Sequence, residues 1–313
     1  MENKHETLAG NRLDFELVNV PVAFVNGLRR IMLSEIPAVV VRDVQILDNT
    51  SQVIHEMLRH RIEMLPINVR PDEAAIIRDT TLELRFLGSD QPKLITADDV
   101  VIAGPRKVVI LKDRDLGTPH LIMNIKAKES VHIRATVGIA QTGSSQVCVS
   151  TFKNHIDDEM RKLNRDTYIL EGGDVRVFDN HYYQRSYVRD EQGRPIHFDV
   201  AVESIGVLPA KEIVRQALVI LRDKITEWVK NDILREDGGW FRVETDREGH
   251  TIGALAQAMI YSGGLAEFVS YEIPHPLLPK MVVRFQTKLD PTTVIERFKA
   301  EAVALCESIL KSV

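Results

Sequence analysis

The order of secondary-structure elements predicted from the sequence occurs twice in this chain, and this repeat restricts the possible folds more than any other feature. Residues 11–47 and 198–230 together give a strand, a helix and a strand, followed by a strand and a long helix. Residues 240–312 give a strand, a helix, two strands and a long helix. Few residues are identical between the halves, so the repeat rests on element order and apolar periodicity. Two such units can pack their helices across a pseudo-twofold axis, as an isologous dimer does.

A helix is predicted near the start of the first unit, after Pro21. Its apolar side chains recur with helical spacing and form one face, which consists of Phe24, Leu28, Ile31 and Met32. Arg29 and Arg30 are adjacent and therefore point about 100° apart around the helix axis, so at least one of them lies at the edge of the apolar face. Pro37 disfavours helical geometry at Ile36 and ends the helix. We expect this helix to be covered on its apolar face and to hold an anionic group.

The middle of the chain, residues 48–197, is predicted to be a β-rich domain inserted into the first unit. Helical periodicity is weak there, and apolar and polar residues alternate along 82–86 and 131–137. The tract 142–190 gives no clear prediction, and 236–239 is the clearest linker. We therefore predict three parts, namely a first unit of residues 11–47 and 198–232, the insert of 48–197, and a second unit of 238–313.

Each unit is predicted to contain a long amphipathic helix. In the second unit this helix begins at Asp290 and Pro291, an N-cap residue followed by proline at the first helical position. Its apolar face includes Phe298 and Leu305. We expect the core between the two units to combine both helical faces, with the residues Phe24, Leu28, Ile31, Met32, Phe298 and Leu305.

No motif in the sequence predicts catalysis. His55, Glu56 and His60 do not form the H-E-x-x-H zinc motif, because the second histidine comes one residue too late. No serine lies in a G-x-S-x-G elbow, and the glycine pairs are interpreted as turns. His155, Asp157 and Asp158 are interpreted as residues of a surface turn. The sequence therefore favours a binding or scaffolding role over an enzymatic one.

Composition narrows the class of protein further. The net charge of −5 argues against a chain whose main task is to coat nucleic acid, which would carry a basic excess. Cys148 and Cys306 are far apart, which excludes a disulfide framework and a cysteine zinc site and suits a reducing compartment. No apolar run is long enough to cross a membrane. We expect a cytoplasmic or nuclear protein without membrane contact.

Two adjoining stretches resemble the alpha-type subunits of cellular RNA polymerases, which include bacterial alpha, its archaeal counterpart and the third-largest eukaryotic subunit. Residues 26–37 read NGLRRIMLSEIP and resemble the family signature N-A-L-R-R-I-L-L-S-E-I-P. Residues 49–66 resemble the next block, N-T-x-x-x-x-x-E-x-x-x-H-R-x-x-x-(I/L)-P. Glu56, His60 and Arg61 stand at the charged positions of that block.

Three further stretches extend the resemblance to nearly the whole chain. Residues 249–253, GHTIG, match one end of a phrase that is contiguous in bacterial alpha, G-H-T-L-G-N-A-L-R-R-I-L-L. Residues 271–287 resemble the eleventh eukaryotic polymerase subunit, and 202–206, VESIG, resemble the third. The chain thus looks like a third-like and an eleventh-like subunit fused head to tail. Such fusions occur in some large DNA viruses, so the resemblance implies a viral source and transcription in a viral factory or virion.

The resemblance implies an α+β fold in which two alpha-subunit-type dimerisation units pack as an intramolecular pseudo-dimer, with a β-rich insert domain in the first. No homodimer is then needed. It also implies a non-catalytic assembly platform of a DNA-directed RNA polymerase that scaffolds the largest and second-largest subunits, with little direct DNA contact. Small subunits resembling the tenth and twelfth are expected nearby. Partner contacts are expected at Asn26, Arg29, Arg30, Glu56, His60 and Arg61.

The chain departs from the family pattern in places. The cysteine cluster of many third-subunit insert domains is absent, so no zinc and no other cofactor is expected. Gln257 and Ala258 replace the arginine pair in the second half, which makes the halves unequal.

Other interpretations of the same residues stay open. Arg29 and Arg30 can be read as a solvated helix edge, and the charged side chains of 56–61 as a polar network within the chain. The chain as a whole can be read as a free-standing interaction adaptor or as a nucleic-acid-binding module.

Overall fold

The structure, a computed structural model, describes residues 1–140 and 147–313. The part before the long helix of the first unit forms β1 (Glu2–Thr7), β2 (Arg12–Val18), α1 (Val22–Ser34), β3 (Ala38–Asn49), α2 (His55–Glu63), α3 (Ala74–Asp79), β4 (Thr81–Phe86), β5 (Lys93–Thr96), β6 (Val101–Ala103), β7 (Leu121–Ile125), β8 (Val131–Ala140), β9 (Cys148–Asn154), α4 (Asp158–Leu170), α5 (Val175–Val177) and β10 (His197–Ser204). The remainder forms α6 (Ala210–Trp228), β11 (Ile233–Arg235), β12 (Trp240–Thr245), α7 (His250–Ser262), β13 (Phe268–Glu272), β14 (Met281–Gln286) and α8 (Pro291–Ser312).

The first unit is built on an antiparallel sheet with the strand order β1-β2-β10-β9. Buried and more exposed side chains alternate along β2 and β10, so one face of the sheet packs against α1 and α6 and the other faces outward. Leu17 pairs with Phe198 across the two strands, and both are fully buried. A shift of one residue would turn these side chains outward, so the buried face fixes the register.

Strand β9 corrects the predicted boundary of the insert. The sequence placed residues 148–154 within the insert of 48–197, but β9 pairs along its whole length with β10 in the first sheet. The thiol of Cys148 on this strand donates a hydrogen bond to the carbonyl oxygen of Met32 in α1, at 3.3 Å. The sequence did not indicate this pairing, because strands that lie far apart along the chain leave no local pattern when they join.

Strand β3 corrects the other boundary. The sequence assigned most of it to the first unit, but β3 pairs with β8 in the sheet of the insert, whose order is β3-β8-β4-β6. Ala38 and Val40 pack into the core of the first unit, whereas Val39 and Val41 pack into the core of the insert. The strand therefore lies between two cores and contributes side chains to both, which explains why its first residues are apolar on both faces.

The insert is β-rich only in part. Two sheets, β3-β8-β4-β6 and β5-β7, enclose its apolar core, but residues 155–196 contain α4 and α5 instead of a sheet. The side chain of Asp157 caps α4 by accepting a hydrogen bond from the backbone nitrogen of Met160 at 3.0 Å. The predicted surface turn at 155–158 is thus partly a helix N-cap, which is a preferred place for aspartate.

The second unit repeats the architecture without an insert. Its sheet has the order β11-β12-β14-β13, and α7 and α8 cover one face. Asp290 caps α8 through Thr293, with Pro291 in the first turn, as the sequence predicts. Gly253 lets α7 approach the sheet closely, because a Cβ there would lie 2.5 Å from the ring of Tyr271.

The two units share one apolar core, which confirms the predicted α+β pseudo-dimer. Helix α1 packs against α7, and α6 packs against α8. Trp228 and Phe298 meet edge to face across this contact, with ring centroids 5.6 Å apart. The predicted core residues that are buried are Phe24, Leu28, Ile31, Met32 and Phe298. Leu305 is only partly buried, but it packs against the same core.

Candidate functional site

The outward edge of α1 carries Asn26, Arg29 and Arg30. The Oδ1 atom of Asn26 accepts hydrogen bonds from Nε and Nη2 of Arg29, at 3.2 and 3.1 Å. This pair of bonds orients a partly buried guanidinium group along the helix edge. Within residues 1–140 and 147–313, neither arginine forms an ion pair with a carboxylate. Their positive charge is therefore not neutralised by the described part of the chain.

Arg30 is exposed, and it also connects the two units. Its Nε donates a hydrogen bond to Oγ1 of Thr251, in the first turn of α7, at 2.9 Å. Gly27, one turn earlier on α1, brings the helices together here, because a Cβ at that position would lie 3.4 Å from the methyl group of Thr251. The structure thus gives Arg30 an intrachain contact that the sequence did not predict, while the rest of the guanidinium group stays accessible.

The second predicted group lies on α2, which packs on β3 through Leu58 and Ile62. The side chains of Glu56, His60 and Arg61 are all exposed to solvent on α2. Arg61 is held in place, because its Nη1 donates a hydrogen bond to the carbonyl oxygen of Ile122 at 2.7 Å. Glu56 lies in the first turn and Arg61 in the last turn, where their charges suit the helix dipole, and His60 also lies in the last turn.

Two exposed apolar side chains beside this charged group were not singled out as contact residues from the sequence. Ile54, at the N-cap of α2, is 58% exposed, and Met57 is 51% exposed. Leu58 and Ile62 are the buried residues of α2, and Ile54 and Met57 lie outside its inner face, which the sequence does not reveal. Apolar side chains among charged ones are typical of a protein-binding surface.

The two predicted groups stay separate in the described structure. No hydrogen bond or ion pair between residues that the structure describes joins the α1 edge to the α2 surface. They are connected through the chain, because β3 follows α1 and supports α2. A partner that contacts both groups would therefore have to span the first unit and its insert.

A half-buried charged cluster joins the units on another side of α1. Lys224 of α6 contacts Glu35, just after α1, at 2.7 Å and Glu248, just before α7, at 3.1 Å. Burial lowers the pKa of Lys224, but the hydrogen bond to Glu35 and the charges of both carboxylates outweigh burial and raise that pKa overall. Burial raises the pKa of Glu248 despite the attraction of Lys224, and the charge of Glu35 adds to the rise.

The thiols of the chain are poor candidates for chemistry. Burial raises the pKa of Cys148 to about 12 and that of Cys306 to about 12. Both are free and buried, and a thiol with so high a pKa is a weak nucleophile and a weak metal ligand.

Atoms that could ligate a metal ion lie close together on the outer face of the first sheet. They belong to Glu16, His155, His197 and Asp199.

Comparison with known proteins agrees with this architecture. The chain is 27% identical over 256 residues to DNA-directed RNA polymerase II subunit RPB3 of Schizosaccharomyces pombe, a match that covers 72% of this chain and 84% of that subunit. It is 24% identical over 231 residues to DNA-directed RNA polymerase subunit Rpo3 of Methanocaldococcus jannaschii, covering 74% of this chain and 95% of Rpo3. A shorter match, 44% identical over 63 residues, covers 18% of the RNA polymerases I and III subunit rpac1 of Dictyostelium discoideum.

Among the helices that the structure describes, none combines the length and the apolar character needed to cross a membrane.

Family models locate the match along the chain. The model of the RNA polymerase Rpb3/Rpb11 dimerisation domain matches residues 14–225, and a second model of the same description matches 241–312. The two matches cover the two units that share the central core. The chain therefore belongs to the RNA polymerase Rpb3/Rpb11 dimerisation-domain family.

Proposed function

We propose that this chain is a non-catalytic assembly-platform subunit of a DNA-directed RNA polymerase. The observation that carries the proposal is the intramolecular pseudo-dimer, in which two dimerisation-type units of one chain share a single core. Two relatives that match over most of their length, RPB3 and Rpo3, are named as polymerase subunits. No catalytic motif stands in the sequence, so the role supported best is to hold other subunits together.

The pseudo-dimer also supports a proposal about partners. Because the dimerisation surface of each unit is covered by the other, the chain needs no second copy of itself. We assign the side with the α1 edge and α2 to the second-largest polymerase subunit, and the second unit to the largest. Small subunits resembling the tenth and twelfth dock nearby in this proposal. The two family matches in one chain favour a fusion of a third-like with an eleventh-like subunit, which is the basis for proposing a large DNA virus as source.

The chemistry of the α1 edge favours an acidic partner surface. A guanidinium group presents its donors in a planar fork that fits carboxylates and backbone carbonyl groups. Arg29 is already oriented by Asn26, so less side-chain entropy is lost when a partner binds it. On α2, Ile54 and Met57 supply apolar contact area beside the charged residues. We propose that both surfaces bind the same large subunit.

Replacing Arg29 and Arg30 together by alanine is expected to weaken capture of the second-largest subunit. Loss of a contact worth about 2 kcal/mol corresponds to roughly a 30-fold loss of affinity. The measurement is co-expression of the tagged chain with the two largest polymerase subunits from the same source, affinity capture, and quantification of each subunit. Circular dichroism of the variant should match the wild type, because neither arginine contributes to the buried core.

A control variant separates partner contact from contact between the units. Thr251→Val removes the hydroxyl group that Arg30 contacts while it leaves both arginines in place, so it should capture the second-largest subunit as well as the wild type does. If Thr251→Val and the double variant lose capture equally, the arginines act within the chain and the proposed contact surface is wrong. If the wild type itself captures neither large subunit, a free-standing interaction adaptor becomes the better interpretation.

A further inference from the structure

The outer face of the first sheet brings together two histidines and two carboxylates, which lie on β2, on β10 and directly after β9. His197 and Asp199 are two residues apart on β10 and therefore lie on the same face. Glu16 on β2 pairs directly with Asp199. His155 follows β9 and lies beside His197, because its backbone nitrogen donates a hydrogen bond to the carbonyl oxygen of His197 at 2.9 Å.

The four side chains converge closely. Nδ1 of His155 lies 2.6 Å from Oδ1 of Asp199, and Nε2 of His197 lies 2.9 Å from Oε2 of Glu16. The two imidazole rings stack with centroids 3.9 Å apart. One nitrogen or oxygen atom from each residue lies within 4.8 Å of those from the other three. The most buried members are His197 and Glu16, with side chains 14% and 17% exposed.

We propose that these four residues form a binding site for one divalent transition-metal ion of the zinc class. Imidazole nitrogen and carboxylate oxygen are both zinc ligands, and four of them satisfy its preferred tetrahedral coordination. Two carboxylates balance the charge of a divalent ion, and both histidines bind it in the neutral form. Tetrahedral ligands with bonds of 2.0–2.1 Å lie roughly 3.3 Å apart. The two hydrogen bonds, of 2.6 and 2.9 Å, would lengthen slightly, and the wider separations, of up to 4.8 Å, would shorten as the side chains close on the ion.

The surrounding side chains orient the proposed ligands. Nδ2 of Asn3 donates a hydrogen bond to the other carboxylate oxygen of Glu16 at 2.9 Å. Lys153 lies 3.4 Å from the other oxygen of Asp199, and its side chain is 75% exposed and can move away when a cation binds. Asn3 is a partner of the kind that holds a ligating carboxylate in position at a metal site.

A different arrangement elsewhere in the chain supplies a comparison. His132 lies 2.6 Å from Glu83 in the insert sheet, so it forms the same kind of histidine–carboxylate pair. There the carboxylate also contacts Arg134 at 3.2 Å. That pair stands alone, whereas the outer face of the first sheet has two such pairs in contact. The expectation of no zinc rested on absent cysteines and did not consider this group.

A bound ion would join the strands that flank the insert. Glu16 comes from β2, His155 directly follows β9, and Asp199 lies near the start of β10. Strands β10 and β2 already pair, and β9 is an edge strand. The ion would tie this edge to the centre of the sheet and stabilise the first unit. This inference is independent of the proposed polymerase role.

The test is metal binding by the full chain after treatment with a chelator. Zn²⁺ is titrated by calorimetry, and Co²⁺ is titrated by visible absorption, which reports tetrahedral coordination. We expect one saturable site per chain, with affinity lowered at least about tenfold in His197→Gln and in Asp199→Asn. His132→Gln serves as the matched control and should bind as tightly as the wild type. Zn²⁺ should raise the melting temperature of the wild type and of His132→Gln only.

Two results would overturn the proposal. Absence of a saturable site in the wild type would mean that the four residues form hydrogen-bonded pairs alone. Equal affinity in wild type, His197→Gln and Asp199→Asn would place any binding at other histidines on the surface. If His197→Gln does not fold, Glu16→Gln and the Co²⁺ absorption spectrum of the wild type decide the question, because a tetrahedral spectrum lost in Glu16→Gln requires this site.

Discussion

Replacing Phe298 by alanine is expected to lower the free energy of unfolding by about 3–5 kcal/mol, because the change removes a fully buried ring and leaves a cavity. Phe298 lies edge to face with Trp228 of the other unit, so the cavity opens at the contact between the halves. Urea unfolding of the full chain, followed by circular dichroism, measures the change. Because the units share one core, we expect the transition of the whole pseudo-dimer to move to lower urea.

The chain contains a matched control for this variant. Trp240 and Phe268 also form an edge-to-face pair, with centroids 5.2 Å apart, but Phe268 is 47% exposed and the pair lies within the second unit. Phe268→Ala should cost about 1 kcal/mol or less, the range of an aromatic pair without deep burial. Equal losses in the two variants would contradict the idea that the contact between the units carries the stability.

The core between the units could be predicted from the helical periodicity of the sequence, but the pairing of the strands could not be predicted. Phe24 and Phe298 follow from spacing along single helices, which is a local pattern. The limits of the insert depend on which strands pair over long distances, as β9 does with β10. Strand β3 was harder still, since it serves two cores with alternate side chains, and a run of apolar residues does not reveal this division.

The candidate contact surface was predictable only where a motif stood in the sequence. Arg29 and Arg30 were found from their motif, but the bond from Arg30 to Thr251 joins residues in different units and has no local signal. The exposure of Met57 can be predicted only when it is known which side of α2 faces β3. The metal-ligand group was missed for a similar reason, because only the register of β2 against β10 places Glu16 opposite Asp199.

Replacing Lys224 by methionine is expected to lower the free energy of unfolding by about 3 kcal/mol at pH 7. The change leaves Glu35 and Glu248 half-buried without the ammonium group that both contact. Burial already raises the pKa of Glu248 while Lys224 opposes the rise, so this pKa should rise further in the variant. A carboxyl group with a higher pKa in the folded state destabilises the fold above that pKa, and this cost disappears as the pH falls below its ordinary pKa.

The loss caused by Lys224→Met should therefore shrink as the pH is lowered from neutrality toward 4.5, the ordinary pKa of a glutamate. Urea unfolding of wild type and variant at a series of pH values measures this dependence. Lys230→Met is the control, because Lys230 pairs with Glu227 at the surface, where both side chains are more than 60% exposed, and should have no measurable effect. Adding Glu248→Gln to the Lys224 variant should restore part of the stability at pH 7. A loss that is the same at every pH would mean that Lys224 acts through packing of its aliphatic chain and not through its charge.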